Sequence, residues 1–498
     1  MNSKVSVGDA VQADHEVIII GSGFSGVNAA IRLKEEGIEN FVVLERAHDV
    51  GGTWRDNTYP GCACDVPSHL YSYSFEQNPN WSRAYSGYSE IQHYIRHCAE
   101  KYGVMPHLRF GVEVTGAQYD EGTGIWTIKK ETGESLTAKS VISAVGGLVN
   151  PRWPNFKGMD SFKGDIFHTA RWNHDVDLAG KRVAVVGTGA SAIQVVPSIQ
   201  EKVGSLTLFQ RSAPWILPKP NAAVSDKTKK LFKRFPLAQR MVRNSILFLS
   251  EAIFAPLVIL DTPLQNVLQK IASGLIKRQV KDPVLRAKVT PDFHIGCKRV
   301  LFASDYYPAL CQPHVDVVTD GISGFTETGI ITADGRELEF DVVVLATGFS
   351  VDIANAPFDI VGEGDEPLST IWGRAGGKAY KGITVPQLPN WYLMLGPNTG
   401  PGHTSVLIYT EAQADYIVQA IKTKRENNLK QLSVKADVLS RYHTRVQGRM
   451  KYTSWTSGCQ SWYLDEHGEN HTLFPGLASE YALSVRHFKL SEYDVKPA

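Results

Sequence analysis

A buried strand that runs into a glycine-rich turn and a helix occurs twice in this 498-residue chain, and this repeated unit constrains the fold most. The first copy carries G-x-G-x-x-G at Gly21, Gly23 and Gly26, after the apolar run 17–20. The first glycine permits a tight turn, the second lets backbone N–H groups approach a pyrophosphate, and the third lets helix and strand pack closely. Glu45 ends a second apolar run 19 positions after Gly26, where a carboxylate accepts hydrogen bonds from a ribose. The pattern predicts a dinucleotide site.

The second copy ends in a cation instead of a carboxylate. Its turn follows the apolar strand 181–186 and reads Gly187-Thr188-Gly189-Ala190-Ser191-Ala192. Arg211, followed by Ser212, stands 19 positions beyond Ala192, where the first copy has Glu45. A guanidinium can hold a 2′-phosphate through two hydrogen bonds, whereas a carboxylate would repel it. The second site is therefore predicted to bind NADP, with these residues as its contacts.

Two such sites predict an α/β fold with two Rossmann-like dinucleotide-binding domains and two cofactors, FAD and NADPH, because a flavin accepts the hydride that NADPH donates. We expect a first part of the FAD domain at 1–150, an NADP domain at 151–340 with a helical insertion at about 222–290, and a second FAD part at 341–498. The strand that begins this last part, 341–348, is predicted to return the chain to the FAD domain.

Charge and hydropathy exclude several partners. The chain has 52 basic and 51 acidic residues, a net charge of +1, which gives no electrostatic case for nucleic acid. Residues 1–16 lack the apolar core of a secretory signal, and no apolar run approaches the roughly 20 residues of a stable membrane insertion. We expect a cytoplasmic enzyme that acts on a small molecule; monomer and dimer both remain open. Six cysteines make no disulfide scaffold.

One block stands apart from this even charge distribution. Residues 227–243 contain seven basic and no acidic residues, and the apolar stretch 246–260 follows. Such a segment can lie on lipid as a basic, apolar helix. We favour a helical insertion that packs on the NADP domain and helps to enclose the substrate.

A further motif, F-x-G-x-x-x-H-x-x-x-W, stands at Phe162, Gly164, His168 and Trp172 and is followed by Asn173. Together with two other motifs, it resembles the sequences of the class I Baeyer–Villiger monooxygenases, which use FAD and NADPH and have Pro or Asp at the position of Asn173. Relatives that hydroxylate nitrogen or sulfur carry Phe or Tyr at the position of Trp172. This position favours ketone oxidation.

One of the other two motifs precedes the predicted NADP domain in sequence, and the other lies within it. One is G-G-T-W through Y-P-G to Asp65, and it includes Thr53 and Trp54; the other is G-C-K-R, with Lys298 and Arg299. The resemblance extends over nearly the whole chain to 396–403, expected to face the flavin, and implies flavin contacts at Thr53, Trp54, Asp65, Tyr71 and Val114.

The resemblance also implies the chemistry. NADPH reduces FAD, reduced flavin and O2 form a C4a-peroxide, and the peroxide attacks a ketone to give an ester or lactone, with sulfoxidation of sulfides as a second activity. The anionic species need a fixed cation, for which we choose Arg299, held by Asp65. Lys298 is expected to assist Arg211 at the 2′-phosphate. His168 and Trp172 are expected to be structural and to couple domain position to cofactor state.

Two other functions stay open at this point. The chain could act mainly on nitrogen or sulfur, or could be a flavin- and NADPH-binding redox sensor with slow oxidase activity. Cys62 and Cys64 form C-x-C, a spacing that rarely closes into a disulfide, so we expect no redox disulfide there. No metal site is expected.

Overall fold

A computed structural model describes residues 12–350, 357–459, 461, 463–465 and 467–498. Residues 1–11, which form most of the segment predicted to lack a secretory signal, lie outside the described residues. So do residues 351–356 of the predicted second FAD part.

The described residues form strands and helices in alternation. The strands are β1 His15–Ile20, β2 Phe41–Glu45, β3 Leu108–Phe110, β4 Val114–Asp120, β5 Ile125–Lys130, β6 Ser135–Ser143, β7 Asp165–His168, β8 Arg182–Val186, β9 Ser205–Phe209, β10 Ile216–Leu217, β11 Leu301–Phe302, β12 Val315–Val318, β13 Ile322–Phe325, β14 Gly329–Thr332, β15 Glu337–Glu339, β16 Val342–Leu345, β17 Asp359–Val361, β18 Trp391–Leu393, β19 Leu429–Val434 and β20 Tyr493–Pro497. The helices are α1 Phe24–Glu35, α2 Thr53–Asp56, α3 Tyr88–Lys101, α4 Ala192–Ile199, α5 Asp226–Arg234, α6 Pro236–Leu249, α7 Ala255–Val258, α8 Gln265–Gln279, α9 Pro283–Lys288, α10 Tyr306–Leu310, α11 Leu368–Ala375, α12 Leu407–Glu426, α13 Ala436–Met450 and α14 Ala478–Ser484.

The first sheet contains the first glycine turn. Its strand order is β17-β4-β5-β6-β1-β2-β3, and β18 also pairs with β6. Strands β1, β2, β3, β6 and β18 are parallel to one another, as a dinucleotide-binding sheet requires. The last four residues of β1 and the first four of β2 are apolar and buried, as in a parallel sheet that is covered on both faces. Helices α1 and α12 pack together on this sheet.

The second sheet contains the second glycine turn and is entirely parallel, in the order β12-β9-β8-β16-β7. This arrangement confirms the predicted α/β fold class with two Rossmann-like regions. Strand β16 corrects one prediction: the segment 341–348 was expected to return to the first sheet, but it pairs with β8 and β7. The chain instead returns to the first sheet at β17 and β18. A buried apolar run fits either sheet equally well, so the pattern alone could not assign it.

Asp341, immediately before β16, contacts the neighbouring strand of the second sheet. Its carboxylate accepts hydrogen bonds from the backbone N–H and the guanidinium of Arg182, at 2.8 Å and 2.9 Å, where β8 begins. The predicted domain boundary at 340 lies immediately before β16. Because β16 is a strand of the second sheet, this boundary does not separate the two sheets. The assignment of FAD and NADP to the two regions stays a prediction at this stage.

The predicted insertion at about 222–290 is helical, from α5 to α9. Ser225 begins α5 as an N-cap that accepts a hydrogen bond from Thr228 N–H, and Asp282 caps α9 in the same way. A π-helical turn, Ser250–Phe254, joins α6 to α7. The insertion packs on the second sheet region through α8, but α6 contacts the first region, as described below.

Candidate active site

The first glycine turn has the geometry that its sequence predicts. Gly21 has a φ of +101°, and a Cβ there would lie 2.6 Å from Ala144 O; a Cβ on Gly26 would lie 1.9 Å from Gly21 O. A Cβ on Gly23 would instead meet only the Cα of Gly52, at 3.7 Å. The first and third glycines are therefore required by packing, while the second borders open space at the start of α1. This is the arrangement that lets a pyrophosphate approach the backbone.

Glu45 stands at the end of β2, beside this turn. One of its oxygens accepts hydrogen bonds from Ser22 N–H at 3.0 Å and Ser22 Oγ–H at 2.7 Å. The other accepts from Ala47 N–H at 2.9 Å and pairs with Arg55 at 3.1 Å. Glu45 thus shapes the glycine turn as well as standing where the ribose contact is predicted. A carboxylate accepts about four hydrogen bonds. Ser22 and Ala47 donate three of them, and Arg55 is the ion-pair partner at the fourth position.

The G-G-T-W segment lies against the same turn. Gly51 N–H donates to Ser22 O at 3.1 Å, and α2 begins with Thr53 immediately afterwards. Trp54 Nε1 donates to Tyr71 Oη at 3.1 Å, and the two rings meet edge to face with centroids 5.6 Å apart. The predicted flavin contacts Thr53, Trp54 and Tyr71 are thereby brought together beside the turn. Val114, at the start of β4, is buried in the same sheet.

Asp65 and Arg299 form an ion pair although 234 positions separate them in sequence. Arg299 Nη2 and Nε both donate to Asp65 Oδ2, at 2.7 Å and 3.2 Å. Burial is the largest single influence on the pKa of Asp65 and would raise it, but the charge and hydrogen bonds of Arg299, together with smaller contributions from Lys219 and the backbone, outweigh burial and the pKa is lowered. Asp65 in turn raises the pKa of Arg299. The Arg299 side chain is still 41% exposed, so it lies in an open cleft. Both groups are charged at any working pH.

Two residues near this pair were missed by sequence analysis. Lys219 contributes a positive charge to Asp65, and burial lowers its own pKa. Tyr463 is buried beside Arg299, and burial raises its pKa to about 12. Neither belongs to a motif that was recognised, and both reach the pair only through folding of distant segments.

The second glycine turn is also built as predicted. Gly187 has a φ of +114°, and a Cβ there would lie 2.4 Å from Ala346 O, whereas a Cβ on Gly189 would meet nothing within 4 Å. Thr188 Oγ1 donates to Ser212 O at 2.8 Å, which joins the turn to the segment after β9. Ala190 is exposed, Ser191 is half-buried and Ala192, which begins α4, is buried. The turn is open at the position where a pyrophosphate would approach.

Arg211 and Lys298 converge beyond this turn. Burial lowers the pKa of Lys298, the charge of Arg211 lowers it further, and Asp292 raises it. Lys298 Nζ also lies 4.6 Å from the centroid of the Phe293 ring. Two cations that repel each other in the absence of a ligand form a site that an anion would stabilise.

The Y-P-G part of the long motif joins the two regions. A Cβ on Gly61 would lie 2.2 Å from Ser198 Oγ and 2.6 Å from Gln194 O, both on α4. Gln194 also accepts a hydrogen bond from Tyr59 Oη–H at 3.0 Å and donates to Ala63 O at 2.9 Å. The segment that carries Asp65 is therefore seated on the first helix of the second dinucleotide unit.

The F-x-G-x-x-x-H-x-x-x-W motif begins where the second sheet does. Phe162 is buried against Phe325, with ring centroids 6.0 Å apart. A Cβ on Gly164 would lie 2.4 Å from Asp341 O, so only glycine fits between this turn and β16. Trp172 packs edge to face on Phe167 at 5.0 Å.

His168 ends β7 beside the two chain segments that connect the regions. These segments are paired: Arg152 N–H donates to Gly348 O at 2.9 Å. The His168 ring lies 6.0 Å from the ring of Phe349, and its Nδ1 accepts a hydrogen bond from Ala170 N–H at 3.0 Å. Burial lowers the pKa of His168 to about 4, so the ring is neutral. The placement is consistent with the structural role predicted for it.

The cysteines divide into a bridge and free thiols. Cys62 and Cys64 are free and buried, and burial raises both pKa values. Cys297 and Cys459 form a disulfide with Cα atoms 6.2 Å apart. This single bridge, which sequence analysis did not predict, ties the loop of Lys298 and Arg299 to the C-terminal segment.

The segment 396–403 follows β18. Thr399 Oγ1 donates to Gly396 O at 2.6 Å, and the side chain of Asn398 donates to Asn470 O at 2.7 Å. Both ring nitrogens of His403 are buried without a hydrogen-bond partner among the described residues, and burial lowers its pKa to about 4.

One group of side chains has the donor types of a metal site. Oxygen and nitrogen atoms of Asp465, Glu469 and His471 lie within 4.8 Å of one another. His471 Nε2 already contacts Asp465 Oδ2 at 3.0 Å, so an internal ion pair accounts for the cluster.

Comparison with known proteins identifies the family. A family model described as flavin-binding monooxygenase-like matches residues 14–460. The chain belongs to this family. A Baeyer–Villiger monooxygenase of Streptomyces coelicolor is 45% identical over 496 residues, which cover 98% of this chain and 95% of that protein.

Solved structures agree with this family assignment. An oxidized steroid monooxygenase bound to NADP superposes with a TM-score of 0.87 at 30% identity, covering 97% of this chain and all of that one. The complex of OTEMO with FAD and NADP gives the same TM-score and coverage at 26% identity. The flavin-binding monooxygenase-like chain described here thus shares its fold, over nearly its whole length, with one protein solved with NADP and with another solved with both FAD and NADP.

Proposed function

We propose that this chain is an FAD- and NADPH-dependent Baeyer–Villiger monooxygenase. It inserts one oxygen atom from O2 next to the carbonyl of a small ketone, giving an ester or lactone, and oxidises sulfides to sulfoxides as a second activity. The observation that carries this proposal is the pair of Arg299 and Asp65, in an open cleft beside Trp54 and Tyr71. The 45% identity to a Baeyer–Villiger monooxygenase and the fit of both glycine turns support it. A cytoplasmic location belongs to the same proposal.

The residues at the first turn fit FAD. The open backbone at Gly23 would bind the pyrophosphate, Glu45 the ribose, and the Trp54–Tyr71 pair would border the ring system. Bound FAD, reduced by NADPH, supplies the reaction with O2. The chain's own contribution is to hold the ketone and a fixed positive charge beside it.

The residues at the second turn fit NADPH. The open backbone at Gly189 would bind the pyrophosphate, and Arg211 with Lys298 would bind the 2′-phosphate. Because Lys298 and Arg299 are adjacent, one loop would contact NADPH through the first and the reacting oxygen atoms through the second.

Arg299 stabilises the negative charge that develops on the carbonyl oxygen. Its Nε and Nη2 are directed to Asp65, which leaves the edge that carries Nη1 directed away from the carboxylate. Asp65 fixes the plane of the guanidinium before reaction, so no reorganisation is needed as charge develops. We expect this preorganised cation to contribute several kcal/mol, about 3 or more, to transition-state stabilisation.

Product analysis tests the proposal. Purified, FAD-loaded protein is incubated with NADPH, ¹⁸O₂, a panel of simple ketones and one thioether, and products are identified by mass spectrometry. An ester or lactone that carries one ¹⁸O atom supports the proposal. Sulfoxide without ester would assign the protein to nitrogen or sulfur oxygenation, and hydrogen peroxide alone would indicate an oxidase or sensor.

A further inference from the structure

Helix α6 has its polar side inside and its apolar side outside. The buried residues of this helix are Gln239 and Arg243, whereas Leu237, Met241 and Phe248 are between 63% and 68% exposed. A helix that packs on a protein core normally has the reverse distribution. The three exposed side chains follow one another at intervals of four and seven residues, so they lie on one stripe of the helix.

The inward-facing polar residues fix the helix to the first region. Arg243 Nη1 donates to three backbone carbonyls, with Ser72 O at 2.7 Å the shortest contact. Gln239 Nε2 donates to Asn78 O at 2.7 Å. Both side chains are less than 7% exposed. The orientation of the helix is therefore set by specific hydrogen bonds, and the apolar stripe faces outward as a consequence.

Exposed apolar side chains continue from the last residue of α6 into the π-helical turn. Leu249 and Ile253 are 51% and 56% exposed, and Phe235, just before α6, is 54% exposed. Residues 236–258 are long and apolar enough to cross a membrane by length and composition alone, but only 17% of their most apolar window is buried in the protein. Contiguous exposed apolar side chains of this kind mark an interaction surface.

Positive charge borders this stripe. The preceding helix, α5, and the first turns of α6 expose Lys227, Lys230, Lys233, Arg234 and Arg240, and none of them has an acidic partner among the residues that the structure describes. Arg234 lies over the ring of Phe235, 5.7 Å from its centroid. Apolar side chains flanked by unpaired cations are the composition of a helix that lies in the headgroup region of an anionic membrane.

We propose that α5 and α6 form a membrane-surface docking site for an anionic lipid bilayer, with α6 parallel to the surface. The inward hydrogen bonds of Gln239 and Arg243 keep α6 on the protein, so the helix lies on the bilayer without crossing it. Charge complementarity selects lipid over a second copy of the chain. A symmetric dimer across this face would bring the two α5 helices, each with several cations and one aspartate, close to each other.

This surface also lies close to the candidate active site. The carbonyls that Arg243 contacts belong to His69, Leu70 and Ser72, which flank the predicted flavin contact Tyr71. The docked enzyme would therefore hold its cleft near the bilayer surface, where apolar ketones concentrate. The docking itself does not depend on the proposed reaction, and binding can be measured without turnover.

Vesicle flotation tests the proposal with the full-length, FAD-loaded protein. We expect binding to vesicles of equal phosphatidylcholine and phosphatidylglycerol, little binding to phosphatidylcholine alone, and release by 0.5 M salt, where the Debye length falls to about 4 Å. The triple variant Leu237→Ser, Met241→Ser, Phe248→Ser and the triple variant Lys227→Gln, Lys230→Gln, Lys233→Gln should each bind at least about tenfold more weakly. Leu483→Ser, which removes an equally exposed leucine on α14, should bind like the unmodified protein.

Three further measurements make each outcome decisive. Flavin content and melting temperature of both triple variants must match those of the unmodified protein, and light scattering after gel filtration gives the oligomeric state. Absence of binding to anionic vesicles, or binding that neither variant weakens, would overturn the proposal. A dimer that the serine variant dissociates would assign the face to a second copy. Salt-sensitive capture by an acidic protein without vesicle binding would also overturn it.

Discussion

At the scale of single residues, the site depends on charges that folding brings together from distant positions. Arg299 and Asp65 meet in the cleft, and Arg211 and Lys298 meet beyond the second turn. The motifs and the family resemblance were sufficient to select all four. Lys219 was not selected, because its charge reaches Asp65 only through the loop after β10, and no local pattern records that approach.

Removal of Arg211 should change the discrimination between the two nicotinamide cofactors. In Arg211→Ala we expect the KM for NADPH to rise about tenfold or more, since a charge-assisted contact to the 2′-phosphate is lost, while the KM for NADH changes little. Steady-state kinetics with both cofactors measure this. Arg278→Ala, on the exposed part of α8, is the control. Equal increases for both cofactors would show that Arg211 does not bind the 2′-phosphate.

At the scale of elements, the sequence predicted the glycine turns correctly but predicted the pairing of the strands only in part. Gly21 and Gly187 have the positive φ values that their position in the motif demands. Strand β16 was placed in the wrong sheet, because its apolar sequence fits any buried parallel strand. The packing of the Y-P-G segment on α4 was likewise absent from the pattern.

The contact of Gly61 with α4 can be tested by adding one methyl group. Gly61→Ala combines a positive φ of +80° with a clash against Ser198 and Gln194, so we expect a lower melting temperature and a loss of roughly 2 kcal/mol or more. Because the clash displaces the segment that carries Asp65, a larger share of NADPH should end as hydrogen peroxide.

A matched glycine separates packing from backbone strain. Gly111 has a φ of +68°, and a Cβ there would meet nothing within 4 Å. Gly111→Ala should therefore lower the melting temperature less and leave the yield of hydrogen peroxide unchanged. If both variants behaved alike, the contact of the Y-P-G segment with α4 would have no part in coupling NADPH consumption to ester formation.

At the scale of the whole molecule, two dinucleotide-binding regions are held together by a pair of connecting segments, and His168 lies beside both. The fold class followed from the repeated unit alone. The position of His168 against Gly348 and Phe349 did not, because a histidine in a motif can serve catalysis or packing equally. The exposure of apolar side chains on α6 could not be predicted from the sequence, because it depends on the inward direction of Gln239 and Arg243 in the folded chain.

The buried His168 should make stability depend on pH. Burial lowers the pKa of folded His168 to about 4 from its ordinary value of about 6.5, so between these pH values the unfolded chain binds a proton that the folded chain does not. The contribution of His168 to stability is therefore fully present above pH 6.5 and is lost as the pH falls toward 4. His168→Asn keeps an acceptor for Ala170 N–H but cannot be protonated. We expect its melting temperature to fall less between pH 7 and pH 5 than that of the unmodified protein; equal losses would contradict the account.

In the proposed function, Arg299 provides the charge on which ketone oxidation depends. Removal of Arg299 tests this role most directly. Ester yield, NADPH consumption and hydrogen peroxide are measured together for Arg299→Ala, with Arg299→Lys as a variant that keeps a point charge. We predict unchanged FAD content, continued NADPH consumption that ends as hydrogen peroxide, and ester formation reduced at least about 100-fold in Arg299→Ala. Arg299→Lys should retain part of the ester yield. Ester formation by FAD-loaded Arg299→Ala at the rate of the unmodified protein would contradict the assignment.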